Sequence, residues 1–445
     1  YMDQLSLIDL FNKYITTASG NRTDHAESLC IMIANIICDN KPLYKVQEWL
    51  SKYSEGIAEK PYENHFNDDR LGRALSALFQ SDRHSLMTEL SSKAIRVHQL
   101  LTNDIHNDTT TITFKGDYNN PDPEAVKFKH GHNKDFRPDC KQIVFGLNIT
   151  ADGHVPLSFS LHDGNTSDDI THIPNWNALR GLLKKEDFVY VADCKLCSQA
   201  NLNHIASNGG KFITIIPKDR VQVKRFKKDL FKKEVKWKHA LKVQDSRKKK
   251  ESNIYSTYEL KPDKKGFRTI FVHSTAKQQD DEQKRTKKIK KALSELEALS
   301  PRLNAYHLKT KKEIQSAVNK ISKNVKGLVD VKVVTERKQI RVPRVPGKRV
   351  TLSKNTYKNK WQFKYKIQWE VNGQGVIDAK KTDGIFPMIT NTDLKAAEVL
   401  KKYKQQPFLE KRMYTKKTVL EVAPVFLKKE IRIEAMLFLY FTALM

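Results

Sequence analysis

The sequence predicts an α/β protein: a mixed β-sheet flanked by helices, preceded by a helical domain and interrupted by a basic α+β insertion. Three observations carry this. Apolar residues recur every three or four positions up to about residue 100. Short β-branched runs follow as three consecutive strands, then alternate with helical patterns to about residue 217. Between 221 and 290 there are 23 Lys/Arg against 9 Asp/Glu, a net +14 in a chain whose total is +29. The expected layout is a helical domain for DNA binding or dimerisation over 1–100, the first part of the sheet domain over 101–217, the Lys-rich insertion over 218–380, and the rest of the sheet domain over 381–445.

In chain order, Leu5, Ile8, Leu10 and Phe11 mark a first helix, and Leu29, Ile33, Ile36 and Ile37 a second. Pro42-Leu-Tyr44 opens a third, running to Trp49 and Leu50. The helix from Asp68 has acids in its first turn and a Leu71, Leu75, Leu78 stripe. The texture then becomes β-branched. Strands are expected from Thr109 to Phe114, from Lys141 to Thr150, and from Val155 to Leu161 across the turn Ala151-Asp-Gly-His. A helix carrying Ile173, Trp176 and Leu179 comes next. A buried strand over 188–192, a helix near 198–207 and a strand over 212–216 complete the series. Three strands followed by α-β-α-β is the order of RNase H-like nuclease domains, which is an analogy of fold.

In the insertion, strands are expected at 255–260, 268–274 and 363–369. Between them lie two helices. One carries Ile289, Leu293, Leu296 and Leu299 and stops at Ser300-Pro301; the other carries Ile314, Val318 and Ile321. Val342-Pro-Arg-Val-Pro-Gly347 reads as a loop. After residue 390 a helix is expected with Asn391 or Thr392 near its cap, interrupted by Pro407.

Charge and cysteine narrow the function. With 80 Lys+Arg against 51 Asp+Glu, the chain is suited to a polyanion, and its binding should be strongly salt-dependent. The runs around Lys248, Lys249 and Lys250 read as DNA-backbone contacts rather than a merely solvated face. The five cysteines are loosely spaced, which argues against a disulfide framework and fits a reducing compartment. Cys194-x-x-Cys197 has no second pair, and no basic-apolar leader is visible at the start. The apolar stretch 435–445 is too short to span a bilayer, so no membrane role is expected; both ends read as those of a fragment.

Three acids stand out. Asp108 and Asp193 sit at the edges of expected strands, and Glu410 lies on a basic helical stretch. Carboxylates so placed suit two magnesium ions for in-line attack on a phosphodiester. Singly, Asp108 also reads as a turn residue, Asp193 as a helix cap and Glu410 as one surface charge; their joint placement favours chemistry. His106 lies on the same strand face as Asp108 and reads either as a packed side chain or as a tuning group. His130 and His132 read as part of a basic loop or as a metal pair.

Longer strings carry a family resemblance. His132-Asn-Lys-Asp-Phe-Arg-Pro-Asp-Cys-Lys-Gln142, Gly164-Asn-Thr-Ser-Asp168, Pro42-Leu-Tyr44 and Asp69-Arg-Leu-Gly-Arg73 resemble segments of DDE transposases of the insertion-sequence-four-like superfamily, most closely the Insertion Sequence 1634 family. The resemblance covers nearly the whole chain. It implies an RNase H-like fold with Asp108, Asp193 and Glu410 as catalytic, metal-binding residues. The signature Tyr, two residues, Arg, three residues, Glu, six residues, Lys falls on Tyr403, Gln406, Glu410 and Lys417; Gln406 replaces the Arg. Asp193-Cys-Lys195 replaces the superfamily's Asp-Arg-Gly. Both changes remove a guanidinium suited to phosphate. Lys195 and Lys404 are candidate replacements, and Tyr403 and Lys417 would position the DNA strand.

The resemblance further implies two Mg2+ ions, with Mn2+ able to substitute, and cleavage and strand transfer of double-stranded insertion-sequence DNA. It also implies a homodimer in a synaptic complex and a bacterial or archaeal cytoplasmic protein associated with the nucleoid. Two other readings stay open. One is an inactive or co-opted derivative that binds DNA without cutting it. The other is an RNase H-like RNA-processing nuclease, which would cut RNA or hybrids without strand transfer.

Overall fold

The structure, a computed structural model, describes residues 2–16, 24–52, 65–118, 122–244, 252–343, 357–414 and 427–445. Among the described residues five helices come first: α1 (Leu7–Tyr14), α2 (His25–Cys38), α3 (Val46–Lys52), α4 (Asp68–Gln80) and α5 (Arg83–His98). Three start on side-chain caps of the kind their sequences advertise. Asp24 accepts from the Ala26 N–H, Asn67 from Arg70 and Asp82 from Ser85.

Strands β1 (Asp104–Phe114), β2 (Lys141–Thr150) and β3 (Pro156–Asp163) form an antiparallel meander. Then come α6 (Asp168–Leu183), β4 (Val189–Val191), α7 (Gln199–Ser207) and β5 (Lys211–Ile215). The next stretch holds α8 (Val221–Asp229), β6 (Lys238–Gln244), β7 (Ser252–Glu259), β8 (Arg268–Ser274), α9 (Thr275–Leu299), α10 (Lys311–Ser322), β9 (Val329–Pro343), β10 (Tyr357–Val371) and α11 (Gly373–Lys381). The chain ends with β11 (Ile385–Thr390), α12 (Ala396–Tyr403), α13 (Gln406–Tyr414) and α14 (Glu430–Leu444).

The chain divides into two compact units. The first comprises 1–218, 259–270 and 387–445. Its sheet is mixed, in the order β3-β2-β1-β4-β5-β11. β4 lies parallel to β1 and β5, while β11 runs antiparallel to β5. One core joins Ile143, Phe145 and Leu147 of β2 to the N-terminal helices, to Leu409 and Met413 of α13, and to α14. Ile433, Leu437 and Phe441 of α14 are fully buried there, which is why that helix is apolar on nearly every side. No helix among the described residues is long and apolar enough to cross a membrane.

Two sequence expectations are corrected in this unit. Asp108 is not at a strand end: β1 begins at Asp104 and Asp108 lies inside it. The helix after residue 390 does not start at Asn391 or Thr392. Asn391 instead continues the β5–β11 edge, accepting from the Phe212 N–H at 2.8 Å and donating to Gly210 O at 2.8 Å, while Thr392 bonds back to Thr390. The helix therefore begins at Ala396, and it ends at Tyr403 before Pro407.

The second unit comprises 219–258 and 271–386. Phe226 of α8 stacks on Phe271 with ring centroids 3.6 Å apart, next to Tyr258. A separate core packs Leu296 of α9 and Ile314 and Val318 of α10 against Val329 and Ile367 of a long β9–β10 hairpin, paired from Val329↔Val371 to Pro343↔Tyr357. Of that hairpin, the sequence pattern marks only 363–369 as strand. Lys248, Lys249, Lys250 and Lys417 lie outside the described residues, as does most of the 342–347 loop.

Candidate active site

The site begins with a parting of strands. β1 pairs with β4 only over Asp104–His106, because β4 ends at Val191. Beyond His106 that edge of β1 loses its strand partner, and its backbone groups still require hydrogen bonds. Side chains supply them. Asn107 O accepts from Gln406 Nε2 at 2.8 Å, and Thr109 O accepts from Lys134 Nζ. The Thr109 N–H donates to Asp108 Oδ1 at 2.8 Å. Asp108 is thus bracketed by an amide and an ammonium brought from distant parts of the chain.

Asp193 follows β4 almost directly. Its Oδ1 accepts from the Lys195 N–H at 2.9 Å, and its main-chain oxygen accepts from Thr214 Oγ1. It does not cap α7; Ser198 does, accepting from the Asn201 N–H. The third acid arrives on α13, which docks against β1. Gln406 is 6% exposed, and its Oε1 lies 2.9 Å from His106 Nδ1. Because the amide nitrogen of Gln406 is committed to Asn107 O, its oxygen must accept, so His106 carries its proton on Nδ1. Burial holds His106 below the usual histidine range, which keeps the ring neutral. Phe408 stacks on His154 at 4.1 Å, and Leu409 and Met413 are buried in the core. Glu410, one helical turn after Gln406, is exposed. At the other end of β1, Lys402 of α12 pairs with Asp104.

Electrostatics tie these groups into one neighbourhood. Burial pushes Asp108 up to about 6, aided by the charges of Asp193 and Glu410 and opposed by Lys134. Asp193 is also raised, chiefly by burial and further by Asp168, while the Lys195 N–H and Lys134 act against the shift. The Tyr403 hydroxyl is raised by burial first, then by Asp193, Cys194, Glu410 and Asp108. Asp108 therefore senses an acid 302 positions further along the sequence.

The donors are hard oxygens, the type that magnesium or manganese prefers. Their residual negative charge is what a divalent cation would relieve, so the chemistry of the set fits such an ion. Among the described residues, no three His, Cys, Asp or Glu side chains are drawn together tightly enough to hold a metal as they stand. His130 and His132 are exposed.

Of the residues named from sequence, Asp108, Asp193, Glu410 and Tyr403 share this neighbourhood. Lys195 is exposed beside Asp193, and Lys404 is the partly buried C-cap of α12. Gln406, at the position of the family's Arg, faces inward onto β1, with its side chain bonded to His106 and to Asn107 O. Lys134 and Asp168 lie inside the family-like strings with no role assigned to them by sequence. Only the structure brings Lys134 Nζ to 3.4 Å from Asp168 Oδ2 beside the two catalytic candidates. A buried polar chain is likewise invisible in the sequence pattern. Asn107 bonds Asn148, Asn148 bonds Asn175, and Asn175 and His172 reach the Tyr190 hydroxyl. It fastens the face of β1 opposite Asp108 to α6 and β4.

A sequence-family profile described as a domain of unknown function (DUF4277) matches residues 1–92. No curated protein matches the chain. Among solved structures, the chain is similar to the piggyBac transposase in a synaptic complex with hairpin DNA, at 11% identity and a TM-score of 0.32, over 57% of this chain and 56% of that one. It is also similar to the Mos1 transposase in a paired-end complex with the left transposon end and in a pre-cleavage transpososome. Both matches are at 13% identity and a TM-score of 0.18, over 44% of this chain and 60% of that one. The chain thus spans between about half and two thirds of the length of these transposases.

Proposed function

We propose that this chain is a DDE transposase that cuts and joins insertion-sequence DNA on an RNase H-like sheet, with Asp108, Asp193 and Glu410 as its metal-binding acids. The observation that carries the reading is that Asp108, in β1, feels the charges of Asp193, from the loop after β4, and of Glu410, from α13. The family strings in the sequence and the net charge of +29 support it from the substrate side.

Two magnesium ions, or manganese in their place, would supply an activated water and neutralise charge on the phosphate being cut. The protein's own residues do the rest. Asp108 and Asp193 provide oxygens from β1 and from the loop directly after β4. Gln406 holds α13 on β1 so that Glu410 stays near them. Tyr403, its hydroxyl proton firmly held, donates a hydrogen bond to a phosphate oxygen without becoming an anion. Lys195 offers an exposed charge for DNA. The inward-facing Gln406 removes one reason for reading this chain as a decayed copy. Joining two DNA ends calls for two copies of the chain in a synaptic complex.

Cleavage of DNA carrying the element's ends, with and without Mg2+, tests the proposal. Nicking and strand transfer that vanish in D193N support it. Salt-sensitive binding without cutting favours a binding-only derivative. Cleavage of RNA or hybrids without strand transfer favours the nuclease alternative.

A further inference from the structure

Residues 133–135 are laced onto β1 through every second side chain of a threonine row. Asn133 Nδ2 donates to Thr113 Oγ1 at 3.0 Å, the Lys134 N–H to Thr111 Oγ1 at 3.0 Å, and Thr113 Oγ1 to Asp135 Oδ2 at 2.9 Å. Asn133 is 8% exposed, and its Oδ1 takes the N–H groups of Asp135 and Arg137. So anchored, the Lys134 side chain has one direction to run. Its Nζ reaches Thr109 O, Thr109 Oγ1 at 3.3 Å and Asp168 Oδ2 at 3.4 Å. The chain thereby places an ammonium at the open edge of β1, one residue from Asp108. The side chain remains 36% exposed, so it has room to move.

We propose that Lys134 is a tethered cation that competes with a divalent ion for the acidic pocket and so sets how tightly that pocket takes metal. In the metal-free protein its charge balances part of the excess carried by Asp108, Asp193 and Asp168. An arriving dication must share those carboxylates with it or displace it. Lys134 is then a positioning residue that tunes occupancy, and a metal-free pocket stays assembled instead of being driven apart by its own acids. The inference rests on the reading of Asp108 and Asp193 as metal ligands.

Binding of Mn2+ alone to the full chain, without DNA, tests it by calorimetry. Removing one positive charge from the edge of the site should strengthen binding by about tenfold or more in K134Q. K134R keeps the charge and should stay within a few-fold of the unsubstituted protein. A role limited to holding residues 133–135 on β1 predicts the opposite for K134Q: equal or weaker binding. If Mn2+ binding survives D108N unchanged, the ligand reading itself has failed. If D108N abolishes binding while K134Q binds no tighter, the Lys134 proposal alone is overturned. K134M repeats the measurement should K134Q not fold, with the same two outcomes.

Discussion

Gln406→Ala should separate a structural clamp from a spare position in a motif. The substitution strips the acceptor from His106 Nδ1–H and the donor from Asn107 O, on residues that are 0% and 2% exposed. Each orphaned buried group costs about 1–3 kcal/mol, so about 2–6 kcal/mol should be lost where α13 docks. Much of that loss is expected locally, because α13 also holds on through Phe408, Leu409 and Met413. Native-state hydrogen exchange reads it directly: amides of α13 should exchange faster by two to three orders of magnitude than in the unsubstituted protein, those of β2 much less. DNA cleavage should fall with it, since Glu410 rides on the same helix, while DNA affinity stays nearly constant. Gln406→Arg sharpens the test. A guanidinium facing the His106 N–H sets donor against donor at a buried site, so Q406R should exchange at least as fast as Q406A and cut no better. A Q406R protein as protected as the original, and more active, would refute the clamp and restore position 406 as a phosphate ligand.

Other outcomes follow from the same geometry. D193N should abolish cleavage with little change in DNA affinity; a large affinity loss would make Asp193 structural. Asp108 is raised to about 6 from an ordinary 3.8, so the folded state holds its proton more tightly than the unfolded one. Its contribution thus opposes folding as pH rises through that window and is fully unfavourable above it. D108N should therefore stabilise the metal-free protein at pH 7.5 by on the order of 2 kcal/mol and leave it little changed at pH 3.5, as thermal unfolding at the two pH values will read. Mn2+ binding to the unsubstituted chain should strengthen as pH rises through about 6, with proton release. Lys312, Lys320 and Lys323 border a shallow basic groove along α10. Reversing all three charges should weaken DNA binding and flatten its salt slope by about one for each phosphate no longer neutralised; an unchanged slope would clear α10 of that role. The same reversal at Lys248, Lys249 and Lys250 tests the other basic run.

The parts of the fold legible in the sequence are those written by local chemistry. The acids opening α4, the apolar run of β2 and the proline in the first turn of α13 each act within a few residues. What escapes a sequence reading depends on partners far along the chain. Asn391 has the composition of a helix cap, yet it bonds Phe212 and Gly210 across a strand edge. β9 alternates apolar and charged residues over Val329–Val333 and is polar from Thr335 to Gln339, so its length emerges only from pairing with β10. The acids are visible through their joint placement on the expected strand and helix order, since each alone reads equally well as a turn residue, a cap or a surface charge. The roles of Gln406 and Lys134 are not, because their meaning lies in backbone carbonyls left bare where β1 and β4 diverge. No periodicity records that divergence.

Anomalous scattering from crystals of the full chain soaked in Mn2+ tests the central claim most directly. Manganese should lie between Asp108 and Asp193, with Glu410 turned toward it and a second ion about 3.5–4 Å away once DNA is bound. Manganese bound only elsewhere, or ligands that leave out both Asp108 and Asp193, would contradict the claim.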